Sequence, residues 1–202
     1  MNSEKALGSC VLKGQGQVWV GSIIFSALSL SVVAQSEEDN KKWIEYATPS
    51  TMQKMMASWD GEWDEDITMW MAPGAPEQKS KASCVNRMIL DGRYQESVHK
   101  GEFAGMPFNG IGTLAWDNTL KVFVNTWIDN FGTGMMYMTG SWDEKSKVIS
   151  LSGTMTDPIS GKAVPVRQVV RIIDDKTQVM EQYTQNNGKD FLNMSITMRK
   201  RK

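Results

Sequence analysis

From Trp59 to the C-terminus, apolar and polar residues alternate in short runs bounded by Gly, Asp and Asn. That two-residue period marks strands with one face turned to a core. Ten strands are predicted: Glu62–Met71, Lys79–Leu90, Arg93–Phe103, Phe108–Trp116, Lys121–Asn130, Met135–Trp142, Val148–Thr156, Val164–Asp174, Gln178–Gln185 and Asp190–Arg199. The connections between them carry turn chemistry, as at Pro73-Gly74, Asp91-Gly92, Asp117-Asn118 and Asn187-Gly188. No helical period interrupts the series, so the strands form an antiparallel meander. Ten strands in one small domain hide their edges best by closing into a barrel, and a closed barrel of that size can hold a ligand.

One helix precedes the strands. Met52, Met55, Met56 and Trp59 recur at helical spacing after Thr48-Pro49, which reads as an N-cap hydroxyl followed by proline at the first helical position. The apolar stripe predicts a helix packed on one end of the barrel. Residues 35–47 are charged and form a loose lead-in or a short helix. Further upstream, Val18–Ala34 is apolar and uncharged, with Lys5 and Lys13 before it and a small-residue site at Val32-Val33-Ala34. Residues 1–34 thus read as a secretory signal peptide, and residues 48–202 as the barrel domain. The apolar stretch is short for a spanning helix, which needs about 20 residues. Retention as an N-terminal anchor is the rival reading, and membrane contact is expected only through such an uncleaved leader.

Composition narrows the classes further. Lys and Arg number 22 against 23 Asp and Glu, for a net charge of −1, and the one basic cluster is the tail Arg199–Lys202. That excludes a nucleic-acid surface built on charge. Of the two cysteines, Cys10 falls in the leader, and no apolar core precedes it as a lipoprotein signal requires. Cys84 then stands alone, so an exported chain has no internal disulfide and depends on its core for stability. Periplasmic or extracellular residence is expected. Oligomeric state is not written in the sequence.

Two hairpins can be placed in register. With Asp91-Gly92 at the tip of the first, Val85 faces Val98, Arg87 faces Glu96 and Ile89 faces Tyr94. With Asn187-Gly188 at the tip of the second, Tyr183 faces Leu192, Glu181 faces Met194 and Val179 faces Ile196. Arg171 faces Glu181 if the loop at Asp174–Thr177 is one residue longer than the tightest turn. In each hairpin the more apolar face is expected to turn inward. That carries Arg87, Glu96, Arg171, Glu181 and Tyr183 into the barrel as a polar cluster for a ligand's head group. Structural ion pairing, or an outward position for these charges in a different register, is the alternative. Trp127 and Asp129 share a face of their strand and join the candidate binding set, although both faces of that strand are apolar enough to leave its inward side open.

By the first register Cys84 faces His99, a thiol beside an imidazole. Their face also carries Asn86, Gln95 and Ser97 and is assigned to the outside, which argues against catalysis. His99 is the one histidine of the chain, so haem held by histidine would have to use it, and an outward position argues against that too. No cofactor is implied. The methionines at 52, 55 and 56 and at 135, 136 and 138 could ligate a soft metal, but core filling explains them better, and no metal site is assigned.

The order of Gly92-Arg93-Tyr94, Gly105-Met106-Pro107-Phe108 with Gly110, Trp116-Asp117-Asn118, Trp127-Ile128-Asp129 and Met198-Arg199 resembles the bacterial domain of unknown function 1579 family, from about Met52 to Arg199. Gly61-Glu62-Trp63 after a helix is similar to the Gly-x-Trp opening of lipocalins, so the resemblance implies a calycin-like barrel. It implies no activity. The leading expectation is non-covalent binding of a small apolar or amphipathic molecule inside the barrel. An enzyme using Glu96 and Glu181 as general acid or base, and a structural or adaptor protein of the envelope, are the rivals.

Overall fold

The computed structural model describes residues 36–202 except Asn187. Two helices, α1 (Glu37–Ala47) and α2 (Thr51–Ala57), precede ten strands. These are β1 (Gly61–Met69), β2 (Gln78–Ile89), β3 (Tyr94–Phe103), β4 (Met106–Asp117), β5 (Val122–Asp129), β6 (Met136–Asp143), β7 (Val148–Asp157), β8 (Lys162–Asp174), β9 (Thr177–Asn186) and β10 (Lys189–Lys200). Every strand pairs antiparallel with its neighbours in sequence, and β10 closes on β1 to leave no free edge. The all-β barrel expected from the alternation is therefore the fold, and each predicted strand lies within two residues of an observed one. The signal-peptide reading of residues 1–34 falls outside the described residues.

The helix starts two residues later than Thr48-Pro49 suggests. Ser50 is the N-cap, and its backbone N–H donates to Gln53 Oε1 at 2.8 Å in a capping box. Thr48 instead ends α1, with its N–H on the Ile44 carbonyl. Gln53 also donates from Nε2 to the Trp116 carbonyl on β4, which ties the cap to the barrel wall. Met56 and Trp59 are buried, with Met52 and Met55 packed beside them, so α2 closes the end of the barrel where β1, β3 and β5 begin.

The first hairpin has the expected register: Val85 opposes Val98, Arg87 opposes Glu96 and Cys84 opposes His99. Its tip is wider than two residues, because Leu90, Asp91 and Gly92 all take left-handed backbone. The second hairpin holds the expected register only as far as Tyr183 opposite Leu192. A bulge at Asn193 then shifts it, so Glu181 opposes Ser195 and Val179 opposes Thr197. The β8–β9 connection is not the longer loop: Val169, not Arg171, opposes Glu181.

The larger correction concerns which face is inside. Residues directly opposed across strands share a face. The row Trp63, Cys84, His99, Gly110 and Asp129 is continuous from β1 to β5, and its first two members are buried. The Cys84–His99 face is therefore the interior, and the Arg87–Glu96 face is the outer wall. The more apolar face lies outside here because the polar one serves the α2 plug. Gln95 donates to the Met56 carbonyl at 2.6 Å and to Asp60 at 2.9 Å, and Asn86 donates to the Trp59 carbonyl. Those bonds tie the end of α2 and the turn after it to the inner wall.

Candidate functional site

Inward-facing side chains divide along the barrel axis. Near α2, Trp63, Phe123, Met138, Ile149 and Leu151 are buried and form the core with Met56 and Trp59. Toward the other end, Ile67, Trp127, Met136, Met155 and Met194 face inward and keep partial exposure. The described part of the barrel is thus packed solid at the α2 end, and toward the opposite, cup-like end its inward side chains keep partial contact with solvent.

One wall of the cup is polar. Glu65 on β1 is 2% exposed, and His99 Nδ1 lies 3.1 Å from each of its carboxylate oxygens, hydrogen bonding to Oε2. On the other edge of the ring, His99 Nε2 is 3.5 Å from Cys84 Sγ, which is itself 3.1 Å from Asn86 Oδ1. Among the described residues, Glu65 Oε1 has no hydrogen-bond partner despite its burial. Trp127 packs edge-on against His99, with ring centres 5.0 Å apart, and stacks on Phe108. Its Nε1 donates to Asp129 Oδ2 at 2.8 Å, and the Phe131 N–H donates to the other oxygen. Gly110 makes room for this ring: a Cβ there would lie 2.4 Å from Trp127 Cζ2.

Cysteine, histidine and glutamate in this order match a nucleophile, a base and the acid that orients it. The thiol is not poised for attack. Burial, and then the Glu65 carboxylate, push the Cys84 thiol well above its ordinary range, outweighing a hydrogen bond from Ser97 that acts the other way. A protonated thiol that is 2% exposed is a weak nucleophile.

Of the seven candidate binding residues, Trp127 and Asp129, whose side the sequence left open, face the interior, and the five assigned to it do not. Arg87 and Glu96 pair at 3.0 Å on the outer wall, with side chains 71% and 30% exposed. Arg171 and Glu181 also pair outside, at 2.6 Å, reaching diagonally across β8 and β9. Tyr183 donates to Glu181 at 2.8 Å, and the Arg167 guanidinium lies 4.0 Å over the Tyr183 ring. Arg167 and Tyr183, with Ser152, Gln185 and Asp190, line a hollow of about 220 Å³ that opens on the surface and reaches Gly153 and Val166. Outward placement removes Glu96 and Glu181 as acid–base groups for an enclosed substrate. His99 faces inward, so the orientation argument against its acting as a ligand does not hold.

Sequence reasoning paired Cys84 with His99 but gave them the wrong side, and it passed over Glu65. A signal for Glu65 was present: Trp63, Glu65, Ile67 and Met69 alternate along β1, placing one carboxylate in an apolar row.

Two modest effects follow on the outer wall. Arg87→Met should change the unfolding free energy by only about 0–1 kcal/mol, as for other exposed pairs, and urea titration reads it directly. The hydrogen bond from Arg171, helped by Tyr183, holds Glu181 below its ordinary carboxylate range. Its contribution is therefore complete above the unfolded-state carboxylate pKa and is lost as pH falls through the lower folded value. With Arg171 42% exposed, that loss should be under about 1 kcal/mol, and Glu181→Gln should flatten this part of the acid limb of a stability–pH curve.

A closed ten-stranded cup with a helical floor and a mixed polar and apolar interior defines a calycin-like barrel protein. The chain belongs to the family described as protein of unknown function (DUF1579), whose model matches residues 48–200. Among solved structures, that of Rv2717c from M. tuberculosis is similar at 12% identity and a TM-score of 0.59, covering 77% of this chain and 100% of that one. That likeness is one of fold. No curated protein matches the chain.

Proposed function

We propose that the barrel binds a small, partly apolar molecule non-covalently, in an exported protein whose leader ends at Ala34. The molecule enters at the end opposite α2. Trp127 and the methionines of β6, β7 and β10 supply its apolar contacts, and His99, Glu65 and Asp129 fix its polar end. The observation that carries this reading is the inward cluster of Glu65, His99, Trp127 and Asp129, with a buried carboxylate oxygen that accepts no hydrogen bond, beside partly exposed aromatic and thioether surface. Sites of this composition, apolar with a few convergent polar groups, are the usual form of small-molecule pockets.

Native mass spectrometry of protein purified from its host should show a bound mass that is released on denaturation. Bound ligand should also raise stability by mass action, about 2.7 kcal/mol at a hundredfold excess over Kd. With that ligand, Trp127→Ala should weaken binding at least about tenfold, the worth of one large aromatic contact, whereas Arg87→Met should leave Kd unchanged. Equal losses from both variants, or no bound mass from any preparation, would sink the reading.

The envelope-adaptor reading is favoured by one observation. Val85, Val98, Ile111 and Ile128 form a continuous apolar row across the outer wall of β2 to β5, and three of the four are exposed. Exposed apolar rows of this kind mark contact surfaces. Ile128→Lys should abolish a co-purifying partner under this reading and leave cup binding intact.

A further inference from the structure

We infer that Cys84 and His99 form a site for a borderline-soft divalent cation such as Zn²⁺, with Glu65 holding the imidazole in position. This goes beyond ligand binding in the cup and does not require it.

Three observations carry the inference. The first is distance. Zinc bonds of about 2.3 Å to sulfur and about 2.0–2.1 Å to nitrogen, at a tetrahedral angle, set the two donor atoms about 3.5 Å apart. Cys84 Sγ and His99 Nε2 are 3.5 Å apart. The second is the tautomer. A carboxylate only accepts hydrogen bonds, so Nδ1 is assigned the ring hydrogen in its contact with Glu65, and in that neutral tautomer Nε2, on the Cys84 side, is free to ligate. A carboxylate on the far nitrogen of a metal-binding histidine is the usual supporting contact at such sites. The third is charge. Glu65 is buried with one oxygen unpartnered, and donor atoms of Glu65, Cys84 and His99 all lie within 4.8 Å of one another. A buried carboxylate without full compensation is costly. A divalent cation on the adjoining thiolate and imidazole balances it.

Thiolate and imidazole together suit zinc and its neighbours rather than magnesium or calcium, which prefer oxygen. Binding involves no redox step: the Cys84 S–H bond breaks, the sulfur lone pair forms the bond to the metal, and the proton passes to solvent. The His99 side chain keeps 14% exposure, which gives the ion a route in.

The test uses the full chain stripped with a chelator and then titrated with Co²⁺ alone and Zn²⁺ alone. One equivalent of Co²⁺ should give a near-ultraviolet thiolate-to-cobalt absorption band, and one equivalent of Zn²⁺ should abolish it. Cys84→Ser and His99→Gln should lose the band, and Cys10→Ser should keep it. Glu65→Gln should keep the band but weaken Zn²⁺ affinity about 10–100-fold. Because His99 is the one histidine, its imidazole nitrogen resonances give a readout that needs no variant, and Zn²⁺ should shift them in the unaltered chain. No stoichiometric uptake, a band that survives Cys84→Ser, or histidine resonances unmoved by saturating Zn²⁺ would each overturn the assignment. Ligand binding measured in chelator reports on the cup separately, so either idea can fail without the other.

Discussion

Trp63→Ala should lower the free energy of unfolding by about 3–5 kcal/mol. Trp63 is 1% exposed and is the largest of the fully buried side chains. It sits where β1 leaves the α2 plug, within the cluster of Met56, Trp59 and Cys84. Truncation removes the transfer free energy of the indole and leaves a cavity that a closed barrel cannot collapse, because each strand is held on both sides. It also strips the Trp59 carbonyl of the indole N–H that donates to it at 2.9 Å. Trp63→Phe separates these effects. It keeps most of the ring and loses the hydrogen bond, so it should cost about 1–2 kcal/mol. Trp43, exposed on α1, is the control: Trp43→Ala should fall within about 0.5 kcal/mol. The midpoint of urea unfolding at unchanged slope measures all three. A Trp63→Ala protein as stable as Trp43→Ala would show that α2 and the core beneath it do not hold the fold together.

Strand existence, order and barrel closure were legible because alternation and turn residues are local signals. The inward face of the first hairpin was not. Its rule, that the more apolar side is buried, assumes an interior made of hydrocarbon. Here the inward side must also bond the end of α2 and line a partly solvated cup. Gln95, Asn86 and Ser97 are therefore inside, while Val85 and Ile89 share the outer wall with Arg87. The second hairpin failed differently. The bulge at Asn193 has neither glycine nor proline to announce it, yet it moves each later pairing by one residue. The candidate site inherited both errors: the inward rule put Arg87 and Glu96 inside, and the unseen bulge set Glu181 against the inward Met194 and carried Arg171 and Tyr183 with it, while Glu65, His99 and Cys84 form the polar wall. Places where local rules give the wrong answer are where a protein departs from the best-packed solution, and such departures concentrate at sites of function.

Gly140→Ala should be as damaging as the loss of Trp63, although it adds one methyl group. A Cβ on Gly140 would lie 1.7 Å from the Ser150 carbonyl oxygen and 2.8 Å from Leu151 Cα, both backbone atoms of β7. Backbone cannot rotate away as a side chain can, so β6 and β7 must separate. Met138, Ile149 and Leu151 are all on these two strands and all in the core, so separation opens the core as well. Overpacking ordinarily costs about 1–3 kcal/mol, and a clash against the neighbouring strand's backbone belongs above that range, at roughly 3–5 kcal/mol. Gly153 on β7 has the reciprocal problem, since its Cβ would lie 2.1 Å from the Tyr137 carbonyl oxygen on β6. The two glycines thus permit one close approach between the same two strands. One separation relieves both clashes, so Gly140→Ala with Gly153→Ala should cost clearly less than the two single changes added together. A double-mutant cycle by urea unfolding gives the coupling. Strict additivity would mean that the clashes are relieved independently, and that the β6–β7 pair bends at two sites instead of opening as one.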